Sequence, residues 1–412
     1  MLVMIGIAMS ACAQPVRVEV VPTPSGFELR RGGEPFFIQG AGGTTRFDQL
    51  AAAGGNAVRT WDAAGAKPLL DEAHRHGLTV ALGIWLEHER HGFDMDDPAA
   101  RAKQMERVRT FVLEHKDHPA LLLWGVGNEV EIGTDLDRAL AFVEEAAALI
   151  KSLDPEHPTM GVISEVGDGK ARAMQDACPS IDIVGINSYA GLVSIPERLT
   201  EQGFTKPYII AEFGPPGHWE VGSTDWGAPL EPSSSEKAEI YERNYRSGVL
   251  AERGERCLGS FVFLWGHKQE TTGTWFGMFL ESGETTPTVD VMTELWSGGS
   301  PENRAPLVRP IELGADGLEF TVGSTVAARV RARDPDGHVL EYAWELRAES
   351  SDRRVGGDRE AVPQAVPTEF RSRDGRDVEF ELPETPGAYR LFVVVRDAHG
   401  GAGTANLPLR VR

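Results

Sequence analysis

Cysteine is scarce in this 412-residue chain: there are three, at positions 12, 178 and 257. None sits in a metal-like spacing, and three scattered thiols do not make a disulfide scaffold. Cys178 and Cys257 each precede an expected strand and read as buried thiols, with a pairing between them left open. Long apolar runs are also lacking. The leading stretch, residues 2–11, is too short to span a bilayer. Basic residues are few, 41 Lys and Arg against 62 Asp and Glu, for a net charge of −21. So acidic a surface repels phosphate backbones and anionic lipid, so neither nucleic acid nor a membrane surface is expected as a partner. There is no H-E-x-x-H, and no G-x-G-x-x-G follows the first strand. Nothing calls for a cofactor, and no metal is expected.

What is present begins with a leader. Residues 1–14 read as a signal segment ending in Met9-Ser10-Ala11-Cys12, which resembles a lipobox. That predicts export to the periplasm or cell surface, with Cys12 carrying an outer-membrane lipid anchor.

From residue 36 to about 297, short apolar runs alternate with longer amphipathic stretches. The runs are 36–40, 56–60, 78–85, 121–127, 159–163, 182–187, 207–211 and 258–265. Helical patterns lie between them, as at 99–115, 136–153 and 235–252. Eight such repeats predict an α/β chain with a (β/α)8 barrel over 15–297; a doubly wound open sheet is the alternative. Residues 16–21 and 26–31 read as a hairpin covering the barrel bottom. Residues 298–306 are a linker by composition. Beyond it the period becomes two, with Asp-Pro-Asp-Gly, Pro-Glu-Thr-Pro-Gly and Asp-Ala-His-Gly turns. This predicts an all-β, immunoglobulin-like sandwich over 307–412. Asp334, Asp336 and Asp397 are calcium-ligand types, but their spacing reads better as hairpin turns.

In a barrel, chemistry sits where strands end at the carboxyl face. The fourth run ends in Asn128-Glu129 and the seventh in Glu212. Two carboxylates thus face one cleft, as glycoside cleavage requires: an acid at the leaving oxygen and a carboxylate at the anomeric carbon. A glutamate after a strand more often serves a helix dipole, Arg59 alone an ion pair, and Tyr189 or Trp265 alone a core. Their joint fall at the ends of strands two, four, six, seven and eight favours a catalytic reading.

This constellation resembles the 4/7 superfamily (clan A) of retaining (β/α)8 glycoside hydrolases, most closely the family 2-like catalytic barrels. Gly127-Asn128-Glu129-Val130 also resembles β-1,3-glucanases and glucanosyltransferases. The resemblance implies Glu129 as acid/base and Glu212 as nucleophile. It implies that Arg59 and Tyr189 hold Glu212, that Asn128 contacts the sugar 2-hydroxyl, and that Trp265 floors the sugar site. Negative charge on Glu212 is expected to raise the pKa of Glu129 until the glycosyl-enzyme forms.

The loops carry further candidates. Trp61, Trp85, Trp219 and Trp275 are expected to face pyranose rings, with His88, Asn187 and Lys268 at hydroxyls. Six of the nine tryptophans, Trp226 among them, fall at or beyond expected strand ends. The residues predict a retaining β-glycoside hydrolase acting on an oligo- or polysaccharide, a β-glucan by the Gly-Asn-Glu-Val string. A transglycosidase on the same fold and a non-catalytic glycan-binding protein are the competing readings. The sandwich has no aromatic strip, only Trp344 and scattered rings, and is expected to be a spacer or a support.

Overall fold

Each of the eight apolar runs becomes a strand of a closed, all-parallel barrel in the computed structural model, which describes residues 15–167 and 169–412. The expected leader and Cys12 lie outside the described residues. The barrel strands, first to eighth, are Ile38–Gly42, Ala57–Arg59, Thr79–Ile84, Leu121–Val126, Thr159–Ser164, Ile183–Asn187, Tyr208–Phe213 and Cys257–Val262. The eighth pairs with the first, Phe261 beside Gly40, and closes the ring. A Cβ at Gly40 would sit 2.4 Å from the Phe261 ring, so the glycine makes room for that side chain in the barrel interior.

Below the mouth the interior is filled by side chains such as Ile38, Leu123, Met160, Ile209 and Phe261. The hairpin of Val18–Pro22 and Phe27–Arg31 adds Val18 and Leu29 to this cluster, covering the bottom as expected. Outside, the helices pack an apolar face on the strands. Leu136–Leu153 buries Ala139, Leu140, Val143, Ala147 and Ile150 at helical spacing. Asp135 caps its first turn, and Ser233 with Glu236 forms a capping box on Ser234–Asn244. Among the described residues no helix is long and apolar enough to cross a membrane.

The last barrel helix, Pro287–Ser297, stops at Gly298, which is left-handed with φ 74. Two mainly antiparallel sheets follow, of four and five strands, and form a β-sandwich. Period-two residues Val326, Ala328, Val378 and Phe380 of one sheet meet Leu391, Val393, Val395 and Leu409 of the other in its core. The longest strands are Gly387–Arg396 and Ala402–Val411. The second has no counterpart in the sequence reading, because Gly403, Asn406 and Pro408 break its apolar alternation.

Of the Asp-containing turns, the one at Asp397 is a hairpin turn between paired strands, whereas the one at Asp334 joins Ala332–Arg333 to Glu341–Ala348, which do not pair with each other. Asp334 accepts from the amides of Asp336 and His338, and Asp397 from those of His399 and Gly401. The Asp336 carboxylate is held by Arg304, with Nη2 to Oδ1 at 2.7 Å. Cys178 and Cys257 are buried free thiols, each pushed up to about 12 by burial.

The sandwich is docked against the barrel. Arg390, 1% exposed, donates to Glu349 and Asn406 of the sandwich and to the Pro229 carbonyl of the barrel. Asn406 in turn donates to Glu231, a buried barrel carboxylate shared with Lys237 and Thr272. The amides of Val308 and Thr404 donate to Ser235 and Ser234, both at 2.7–2.8 Å.

Candidate active site

Two different backbone solutions bring Glu129 and Glu212 to the mouth. Glu212 lies within the seventh strand, where the Ser188 amide donates to its carbonyl at 2.9 Å. Glu129 follows a tight turn off the fourth strand. Gly127 (φ 68) and Glu129 (φ 52) are both left-handed, and the Glu129 amide is tied to the Val162 carbonyl of the fifth strand at 3.0 Å. A non-glycine residue in that region costs on the order of 1 kcal/mol. The turn reverses the chain at the mouth, where the Glu129 side chain lines the cleft.

A continuous chain of hydrogen bonds links the two carboxyl groups. Arg59 Nη1 donates to Glu212 Oε1 at 2.7 Å, and its Nη2 donates to Asn128 Oδ1 at 2.6 Å. Asn187 Nδ2 then donates to Asn128 Oδ1 at 3.2 Å and to Glu129 Oε1 at 2.8 Å. Glu212 accepts two more bonds, from Trp61 Nε1 at 2.8 Å and from Tyr189 OH at 2.9 Å. With Oδ1 of Asn128 twice occupied inside the network, its amide nitrogen is the end left for the cleft.

The two carboxyls therefore differ chemically. Glu212 accepts from three donors, one of them a guanidinium. Glu129 is pushed up to about 7, first by burial and then by the nearby charge of Glu212. Tyr189 is pushed well above the usual phenol range, first by burial and then by Glu212, so it stays a donor. Such an arrangement suits a proton donor facing a fixed carboxylate at neutral pH.

A cavity of about 830 Å³ opens above them. Trp61, Trp85, Asn128, Asn187, Tyr189, Trp219 and Lys268 line it, as the sequence reading expected. Arg59 stands behind Glu212 rather than in the cavity, consistent with a holding role.

Three expected contacts are corrected. Trp265 is not in the cavity lining: the eighth strand ends at Val262, so Phe263 occupies the strand-end position. The Phe263–Leu264 peptide is cis. Trp265 is buried against Phe279 and Trp296, with its Nε1 on the Arg46 carbonyl. Trp275 is fully buried, its Nε1 donating to the Pro216 carbonyl, and it props up His218 and Phe276. His88 is also fully buried, stacked on Trp85 at 4.8 Å, and held down to about 3, first by burial and then by Arg90. It supports a wall residue instead of meeting a hydroxyl. Of the six tryptophans expected at the site, Trp61, Trp85 and Trp219 line it, and Trp226 does not.

Other residues were not foreseen. Phe263 joins Tyr189 and Phe276 in an aromatic cluster under the cleft. Glu165, Glu220 and Glu270 also line the cavity, as do residues 354–358 of the sandwich. Phe263 follows the strand directly and lay inside the apolar run 258–265, which gave no sign of where the strand stops. The sandwich residues carry no local signal, since only the docking of two chain segments brings them here.

The model of the family "Glycosyl hydrolases family 2, TIM barrel domain" matches residues 53–225. Over that stretch the barrel is similar to family 2 TIM barrel domains. Among curated relatives, a β-glucuronidase of Pongo abelii is 28% identical over 235 residues, covering 53% of this chain and 34% of that protein. The Homo sapiens β-glucuronidase is 26% identical over 235 residues, with the same coverage of 53% and 34%. This chain thus spans about a third of the length of the curated relatives it matches. Among solved structures, the Dictyoglomus thermophilum β-D-glucuronidase aligns with TM-score 0.52 and 19% identity over 69% of this chain and 53% of that one. A Bacteroides uniformis β-glucuronidase 2 aligns with TM-score 0.51 and 15% identity over 96% and 48%. At these identities the likeness speaks for the fold alone.

Proposed function

We propose that the protein is a retaining β-glycoside hydrolase acting on a neutral β-linked glycan, of which a β-glucan is the first candidate. The observation that carries this reading is the unequal pair: Glu212 fixed by Arg59, Trp61 and Tyr189, and Glu129 raised to about 7. Glu212 attacks the anomeric carbon while Glu129 gives its proton to the departing oxygen. Once the sugar is bonded to Glu212, its negative charge is gone; Glu129 takes a proton from a water whose oxygen bonds to the anomeric carbon, breaking the bond to Glu212 and restoring both carboxyls. Asn128 presents its free amide nitrogen to the sugar 2-hydroxyl.

A neutral sugar is supported by the charge of the lining. Glu165, Glu220, Glu270 and Asp358 accompany the catalytic pair, against Lys170, Lys268 and Arg354. Lys170 is already paired with Glu131, and Lys268 with Glu270 at 2.6 Å. An anionic sugar would enter against that field. A β-glucuronide is the second reading, favoured by the names of the relatives and by Lys268 as the one cleft lysine above the aromatic floor. Hydrolysis of aryl β-glucoside and aryl β-glucuronide, measured side by side with a panel of β-linked polysaccharides, separates the two. Turnover of the neutral substrates, lost in Glu129→Ala and Glu212→Ala, is the expected result. Turnover of the glucuronide alone contradicts the neutral reading, and full activity of either variant contradicts the mechanism. Sugar-acceptor products rising with substrate concentration would move the reading to transglycosylation.

A further inference from the structure

A segment of the sandwich, residues 350–361, reaches into the barrel mouth and is held there by three barrel loops. Arg353 donates to the Gly227 carbonyl of the seventh loop at 2.9 Å. Glu360, 4% exposed, accepts from the Thr271 amide of the eighth loop at 2.5 Å and from the Arg354 amide at 2.9 Å. Asp358 meets His91 Nε2 of the third loop at 2.8 Å and Arg90 at 3.6 Å. Between these anchors Gly356 and Gly357 are both left-handed, at φ 67 and 71. A Cβ on the first would lie 2.7 Å from the Arg90 guanidinium, and on the second 2.7 Å from the Lys268 ammonium. The tip is thus pressed between the third and eighth loops, with the exposed Val355 side chain lining the cavity.

The strand order gives this position a meaning. In the ring, the third and eighth strands are separated by the first and second. The loops after those two strands are short, residues 43–46 and 60–66, before helices Phe47–Ala52 and Lys67–Arg75. That flank of the mouth has no long barrel loop of its own. Glu129 and Glu212 rise beside strands four and seven, on opposite sides of the bond to be cut. A glycan passing between them runs from the flank of strands five and six to the flank of strands one and two. The sandwich segment bridges that second flank.

We propose that residues 354–358 form an end-stop that closes the cleft at the flank of strands one and two. The site then admits a chain end rather than an internal stretch, and cleavage falls one or two sugars from that end. Val355 and the bare backbone of Gly356-Gly357 abut the terminal sugar, while Arg354 and Asp358 flank it. The sandwich is then part of the substrate site, in place of the spacer or support expected from sequence. This inference rests on the glycoside-cleaving reading above and assigns its mode of attack.

The test uses the full chain, an aryl β-glucoside, and reducing-end-labelled β-1,3-, β-1,4- and β-1,6-glucan hexaoses, with products resolved by mass at low conversion. The protein as it stands is expected to release one- or two-sugar products from one end. A variant with residues 354–358 replaced by an equal length of Gly and Ser is expected to raise the share of internal cuts about tenfold or more. Asp358→Asn, which loosens the His91 and Arg90 clamp, keeps the test informative if the replacement does not fold, and is expected to shift the pattern in the same direction. Internal cutting by the unaltered protein, or an unchanged pattern in both folded variants, overturns the end-stop. Aryl glucoside turnover without cleavage of any hexaose overturns it as well. Turnover of no substrate removes the glycosidase reading, and this inference with it.

Discussion

Arg59 and Glu212 form a buried ion pair, Nη1 to Oε1 at 2.7 Å, with side chains 3% and 8% exposed. The same guanidinium holds Asn128 at 2.6 Å. One side chain therefore sets the position of the carboxylate and of the amide beside the acid. Removing one partner of a buried pair typically costs about 3–5 kcal/mol, because the other is left charged and unpaired. Arg59→Ala is expected to lose stability on that scale and to lower kcat by roughly a hundredfold or more. Thermal melts and kcat together check this. A variant as active as the parent would show that Glu212 does not depend on Arg59.

Tyr189→Phe removes one of the three donors to Glu212 while keeping the ring against Phe263, Phe276 and Trp219. Stability should fall by only about 1 kcal/mol. Activity is expected to fall more steeply, roughly ten- to a hundredfold in kcat with little change in KM. A change confined to KM would place the hydroxyl on the sugar instead of the carboxylate.

Glu129, raised to about 7, gives a pH dependence of known sign. The reaction needs its proton, so kcat/KM should decline as pH rises through about 7. The folded state binds this proton more tightly than the unfolded chain, so the group costs stability as pH rises from about 4.5 to 7. Glu129→Gln is therefore expected to be inactive yet more stable than the parent at pH 8, by on the order of 3 kcal/mol. Equal melting temperatures at pH 8 would contradict it. In Glu212→Gln one cause of the shift is gone, and the Glu129 carboxyl should titrate lower, as read by carbon NMR.

Two tryptophans separate lining from support. Trp219 is 59% exposed at the cleft, so Trp219→Ala should raise KM for oligosaccharides and leave stability within about 0.5 kcal/mol. Trp275 is fully buried, so Trp275→Ala should cost about 3–5 kcal/mol. Equal effects in melts and kinetics would undo the distinction drawn between them.

Much of this was legible in the sequence, for physical reasons that also explain the misses. The barrel showed because buried parallel strands read as apolar runs, and their register fell within a few residues of the structure. Glu129 and Glu212 showed because strand ends mark the mouth. Trp265 and Trp275 did not, because a loop tryptophan beyond a strand can fold back into the core as readily as face the cleft. The run through Trp265 overshot the strand by three residues, which hid Phe263. His88 read as polar and turned out to be a buried prop. The sandwich segment at residues 354–358 was out of reach altogether, since its place depends on Arg390, Asn406 and Glu360 seating one part of the chain on another.

The central claim is that Glu212 bonds to the sugar and Glu129 moves the proton. Azide rescue on an activated aryl β-glycoside tests it most directly. Glu212→Ala should be nearly inactive and recover turnover with azide, giving the glycosyl azide of inverted, α configuration. Glu129→Ala should give the β-azide by capture of the intermediate on Glu212. Unaided full activity of Glu212→Ala, or a β-azide from it, would contradict the account.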